Sequence, residues 1–198
     1  MSPFTVRMVA VGAIAAAIGF ATVRADPAPP VDSAQAAKRA IVKLSENLND
    51  KDVAEQAKKI VKEHDSCDIS TIFTMNQRGG LGVGKLTEAG FRDSVQHLIG
   101  ALSGRRNTTE QMFEQYQPDL IRVAKVMQAM AELAPFRASP RVQKDPKLAK
   151  EWQETAVDFK EKTAAFRKAI EEKDPKKVRL AARALNDTCC HCHSLADF

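Results

Sequence analysis

Apolar residues return every three or four positions along most of this chain, the period of a helix that buries one face. Over Ser33 to Leu48 the stripe is Ala37, Ala40, Ile41, Leu44 and Leu48. Asn49-Asp50-Lys51-Asp52 interrupts it, and a shorter stripe of Val53, Ala57, Ile60, Val61 and His64 follows, with Asp52 as its expected N-cap. Asp68 to Met75 is rich in β-branched residues and shows no decided period. It runs into Gly79-Gly80-Leu81-Gly82-Val83-Gly84, a loop by composition. Thr87 to Leu102 reads as a helix with Phe91, Val95, Leu98 and Ile99 on one side, ended by Ser103-Gly104.

The C-terminal half carries stronger signals. Thr108-Thr109-Glu110-Gln111 has the spacing of a capping box and is expected to open a short turn through Tyr116. Pro118 then suits the first turn of a separate helix, in which Leu120, Ala124, Met127, Ala131 and Ala134 share a face. Asp145-Pro146 and Asp174-Pro175 each place an N-cap before a proline at the first helical position. The stripe after Asp145 is Trp152, Ala156, Phe159, Thr163, Phe166 and Ile170, the seam of an antiparallel bundle. After Asp174 it is Val178, Ala182, Leu185, Cys189 and Cys192, so both cysteines point toward the core. Asp52 to Cys67 echoes Asp174 to Cys189 in length and ends, a likeness that two amphipathic helices also produce by coincidence. The fold class expected is all-α.

The N-terminus changes the context. Arg7 precedes an apolar run from Met8 to Ala21, and Val23-Arg24-Ala25 has the form of a cleavage site. Residues 1–25 therefore read as a signal peptide cut after Ala25, with an uncleaved anchor as the alternative. Asp26 to Pro30 reads as a short extended leader, and residues 26–198 as a single helical domain. Cleavage removes two arginines and no acid, taking the formal charge from +5 to +3. Basic and acidic residues interleave along the helices, so the basic balance does not point to nucleic acid. No membrane anchor remains after cleavage. In an oxidising compartment the four cysteines should be bridged, ligated or covalently used.

Cys189-Cys190-His191-Cys192-His193 fits C-x-x-C-H, the attachment motif for c-type haem. Thiols three residues apart on a helix can both reach the vinyl groups on one porphyrin edge, and the following His193 is carried under the iron. A zinc or copper cluster would need a second ligand pair, and Cys67 is the only cysteine elsewhere. A C-x-x-C redox pair would need a thioredoxin-like context that this helical chain does not offer. Gly79 to Lys85 satisfies G-x-x-x-x-G-K, but Leu86 stands where a nucleotide-binding loop needs a hydroxyl for magnesium. A backbone turn close to another element, such as the haem edge, explains those glycines better.

From Asp145 to Phe198, about the last quarter of the chain, the sequence resembles class II c-type cytochromes, the cytochrome c′ group. The likeness rests on the aromatic-rich penultimate helix, the short acidic connection, the Ala-rich final helix and C-x-x-C-H near the end. The glycine stretch also resembles exported class II-like cytochromes of planctomycete-type bacteria. The resemblance implies an antiparallel four-helix bundle with extra N-terminal helical and loop segments. It further implies one haem c bound through Cys189, Cys192 and His193, with His193 proximal to the iron, and relatives of this kind often dimerise through their first helices. The chain departs from the family ending: Ser194-Leu195-Ala196-Asp197-Phe198 supplies no basic residue after the haem histidine.

The distal side of the iron stays open at this level. Met75 is the first candidate, then His64, then no ligand; Met112, Met127, Met130 and His97 complete the donor set. Cys67 and Cys190 are left over, and a disulfide between them is the expectation. Two functions follow: an electron carrier that serves a redox partner protein, or a five-coordinate protein that senses or scavenges a small gas, nitric oxide or carbon monoxide. No distal acid–base set can be named, so catalysis is not expected.

Overall fold

The computed structural model describes residues 31–104 and 109–196. The expected signal peptide and its cut, the Asp26 to Pro30 leader, Thr108 and the last two residues lie outside them. Among the described residues the chain is all helical: α1 Val31–Glu46, α2 Val53–Glu63, α3 Ser66–Ser70, α4 Val95–Ser103, α5 Glu110–Leu133, α6 Pro140–Lys144, α7 Pro146–Glu171 and α8 Pro175–Ala196. None of these helices is long and apolar enough to cross a membrane.

The two C-terminal start signals act as read. Asp145 accepts from the backbone N–H of Lys147 at 2.9 Å and of Leu148 at 3.3 Å. Asp174 does the same for Lys176 and Lys177, at 2.9 and 3.1 Å. Each carboxylate satisfies N–H groups that the first helical turn leaves unpaired. Trp152, Ala156, Thr163, Phe166 and Ile170 are buried along α7, as are Val178, Ala182 and Leu185 along α8. Truncating Phe166, which is fully buried, to alanine would cost about 3–5 kcal/mol.

Two expectations change. A separate helix starting near Pro118 is not found; α5 runs through it without a break. Met112, Phe113 and Tyr116 are buried on the side that holds Leu120, while Pro118 is exposed, so packing on both flanks carries the helix past the missing N–H. The cap of α5 is Thr109, whose hydroxyl accepts from Met112 N–H at 3.2 Å. The helix expected from Thr87 begins only at Val95, where Ser94 is the N-cap. Gly90 upstream has φ +82°, a left-handed conformation that a continuing helix excludes.

Helix α8 packs against α7 on one side and α4 on the other; α7 packs on α5, and α5 on α1 and α2. Lys160–Glu132 at 2.7 Å and the bond from Gln117 Nε2 to Ile170 O at 3.1 Å tie α5 to α7. One large core runs through α1, α2, α4, α5, α7 and α8. A smaller core of Val142, Trp152, Leu195 and Ala196 joins α6, the start of α7 and the end of α8.

The glycine loop is fastened to α1 and α5. Lys38 Nζ donates to Gly80 O at 2.5 Å, and Arg122 Nη2 to Gly82 O at 3.3 Å. The loop thus presents two carbonyls to cations, and its Val83 N–H is already taken by Asp93 Oδ1 at 2.7 Å. A Cβ at Gly80 would collide with the carbonyl of Thr74, which is why glycine is required there.

Candidate haem site

Helix α8 continues straight through the cysteine motif and orients it by phase alone. Cys189 and Cys192 lie three apart and face inward, half-buried, while Cys190, His191 and His193 are exposed. His191 lies 3.4 Å from Glu151 on the α7 side. Of the two histidines, only His193 reaches the cavities described next.

Two cavities meet at Phe73, Gln96, Cys189 and His193. One, of about 260 Å³, is also lined by Cys192, Met130, Ala134, Trp152, Phe159 and Arg137. The other, of about 340 Å³, adds Cys190, Asn186, Met127 and, from α4, Val95 and Ile99. The walls are largely apolar, and the volumes suit part of a cofactor each. A surface groove along α7, bordered by Lys147, Lys150, Glu151, Glu154, Asp158 and His191, is polar and lacks such walls.

Burial pushes the Cys189 thiol up to about 12, with Cys192 and Cys190 adding to the rise. Cys192 is raised by burial too, and Arg137 opposes that rise. Both are neutral thiols near pH 7, unlike the thiolates of a zinc centre. Among the described residues no three His, Cys, Asp or Glu side chains gather around a metal position. The donor set fits a haem: two inward thiols on adjacent turns, one imidazole and an apolar cleft.

Thr188, just before the motif, donates to Asp158 Oδ2 at 2.5 Å and to Ala184 O at 3.2 Å. Burial alone would raise the Asp158 carboxyl, but the Thr188 hydroxyl and Lys162 outweigh it and hold it below its ordinary range. Trp152 Nε1 donates to the buried carbonyl of Ala134 at 2.9 Å. These bonds set α8 against α7 and fix the floor of the smaller cavity.

The distal candidates separate by position. Met75 forms a backbone bridge with Ser94 and lines neither cavity, and His64 is the C-cap of α2, also away from them. Met130 and Met127, both on α5, line one cavity each. Met112 and His97 line neither. The glycine loop also stays clear of both, so its close approach is to Thr74 and not to a cofactor edge.

All four cysteines are free thiols, so the expected Cys67–Cys190 bridge is not formed. Cys67 shares the surroundings of Arg137 with Cys192, whereas Cys190 lines the other cavity beside Asn186. The echo between Asp52–Cys67 and Asp174–Cys189 also ends here. Helix α2 stops at Glu63 and leaves Cys67 exposed on α3, while α8 runs unbroken to Ala196. Sequence reading passed over Arg137, Phe73 and Gln96, which sit in connections or on an exposed face and carry no periodic signal. Compared with protein-family models, curated proteins and solved structures, the chain matches none.

Proposed function

We propose that this chain is an exported c-type cytochrome of the class II kind, holding one haem covalently on Cys189 and Cys192 with His193 as proximal ligand, and that it transfers electrons. The observation that carries this reading is that both thiols and His193 line one apolar cavity. In it α4, α5, α7 and α8 form the bundle around the cofactor, with α1 to α3 as the N-terminal addition. Each thiol adds across a vinyl group: sulfur bonds one carbon, its hydrogen goes to the other, and no oxidant is needed. The iron, once bound, supplies a one-electron ferric–ferrous couple.

The protein residues do the rest. His193 would provide the imidazole, and Phe73, Trp152, Phe159 and Met130 give the cleft its apolar lining. Met127 and Met130, which line one cavity each, would bring thioether sulfur to the cofactor, a donor that suits electron transfer. Electrons pass to and from a redox partner protein. Export with cleavage after Ala25, and the homodimer seen in class II relatives, belong to the same reading.

A second reading is a five-coordinate protein that binds nitric oxide or carbon monoxide. The observation that favours it is the apolar wall of Val95 and Ile99 on α4, with the Gln96 amide of the same helix there to donate to a small bound ligand. Intact mass of the denatured protein, produced with a haem-attachment system, tests the main reading. One haem per chain is expected, lost when Cys189 and Cys192 are both replaced by serine; wild-type protein at its bare mass would overturn it.

A further inference from the structure

Resting on the haem reading above, we propose that Arg137 is the fixed cation of the haem pocket and raises the reduction potential of the iron. Arg137 leaves the turn Ala134–Phe136 and lines the cavity that holds Cys192, Met130, Trp152 and His193. Its guanidinium does not swing freely. Nη2 donates to Ser66 O at 3.1 Å and to Ser70 Oγ at 2.9 Å, so α3 holds it at the cavity edge.

The electrostatic sign follows from the chemistry. One electron moves from the redox partner protein to the ferric iron, and no bond forms or breaks. The centre loses one unit of positive charge, so a neighbouring cation favours the reduced state. A guanidinium keeps its proton in proteins. Its field acts through an apolar cleft, where charges interact more strongly than in water. A partly buried charge is also screened little by salt. The ending Ser194 to Ala196 contributes no basic residue of its own. Arg137 thus supplies from another element a charge that the haem helix does not carry beyond His193.

Redox titration of the haem-loaded full chain tests this, on wild type, Arg137→Gln, Arg137→Lys and Ser70→Asp, at low and high salt. The absorption spectrum serves as the control for iron ligation. Arg137→Gln is expected to lower the potential with the spectrum unchanged, and Arg137→Lys to stay close to wild type. Ser70 is exposed and itself lines this cavity, so the carboxylate of Ser70→Asp acts on the pocket directly and should lower the potential if charge at this wall reaches the iron. The lowering should persist at high salt. A haem-bearing Arg137→Gln, or Ser70→Asp, with an unmoved or higher potential overturns the inference and leaves the haem reading standing. If Arg137→Gln fails to fold, Arg137→Met, which keeps an apolar stem without the charge, takes its place. Wild type without covalent haem overturns the reading beneath, and this inference with it.

Discussion

Cys189 and Cys192 stand three residues apart on one helix but pack against different cores. Cys189 lies against the large core, and Cys192 against the small one built on Val142, Trp152, Leu195 and Ala196. A cofactor fastened to both would therefore be held between two independently packed regions. Trp152 anchors the smaller one. Trp152→Phe removes the bond to Ala134 O, which keeps only the Arg137 backbone N–H at 3.1 Å, a loss of about 0.5–1.5 kcal/mol. Denaturant unfolding should show that drop in stability; a variant as stable as wild type would mean the bond contributes nothing.

Asp158 and Thr188 make a second test, through pH. The carboxyl is held below its ordinary range, so its contribution is complete above that range and is lost as pH falls through the lower folded value. The carboxylate is partly exposed, with 43% of its side-chain surface accessible, and solvent screening limits its value to about 1 kcal/mol. Asp158→Ala should be less stable than wild type by that amount near neutrality. The gap should narrow in acid. A gap that widens as pH falls would reverse the sign argued here.

On the proposed reading, Met127 and Met130 would supply the second ligand of the iron. Both are buried, at 1% and 2% exposure, and replacing them with leucine conserves volume at a cost under about 1.5 kcal/mol each. In the oxidised haem-loaded protein a methionine–iron charge-transfer band is expected, and the Met127→Leu, Met130→Leu double variant should lose it. Met75→Leu should keep it. A ferrous wild type that is high-spin and binds carbon monoxide would favour the gas-binding reading instead.

Thiol reactivity orders the cysteines before haem is attached. Alkylation needs the thiolate. In the haem-free chain at mildly alkaline pH, the exposed Cys67 and Cys190 should be labelled first and Cys189 last. The rate at Cys189 should keep climbing toward pH 12, where its burial-raised value lies. Peptide mapping of labelled sites reads the order, and early labelling of Cys189 would contradict its burial.

The parts of the fold that sequence made legible are those with local causes. Asp145 and Asp174 announce α7 and α8 through caps and prolines, and unbroken stripes place Trp152, Phe166 and Cys189 on the inner faces. Pro118 misled because its own preference for a first turn is local, while the burial of Phe113 and Tyr116 that overrides it is tertiary. The wall facing α8 was hidden for a related reason. Phe73 belongs to a short turn, Arg137 to a connection, and Met130 to a face that periodicity assigns to core packing. Their meeting depends on contacts between segments far apart in the chain. Met75 attracted attention by standing beside the glycine loop, but that loop is fastened by Lys38 and Arg122 to α1 and α5.

The central claim is that both thiols become thioethers to one haem. The absorption spectrum of the reduced protein in alkaline pyridine tests it most directly, because the position of the visible band reports how many vinyl groups have been saturated. The account predicts the band of a haem with both vinyls saturated, moved toward that of a single thioether in Cys189→Ala and in Cys192→Ala. A wild-type band matching free haem with intact vinyls, or no haem at all, would contradict it.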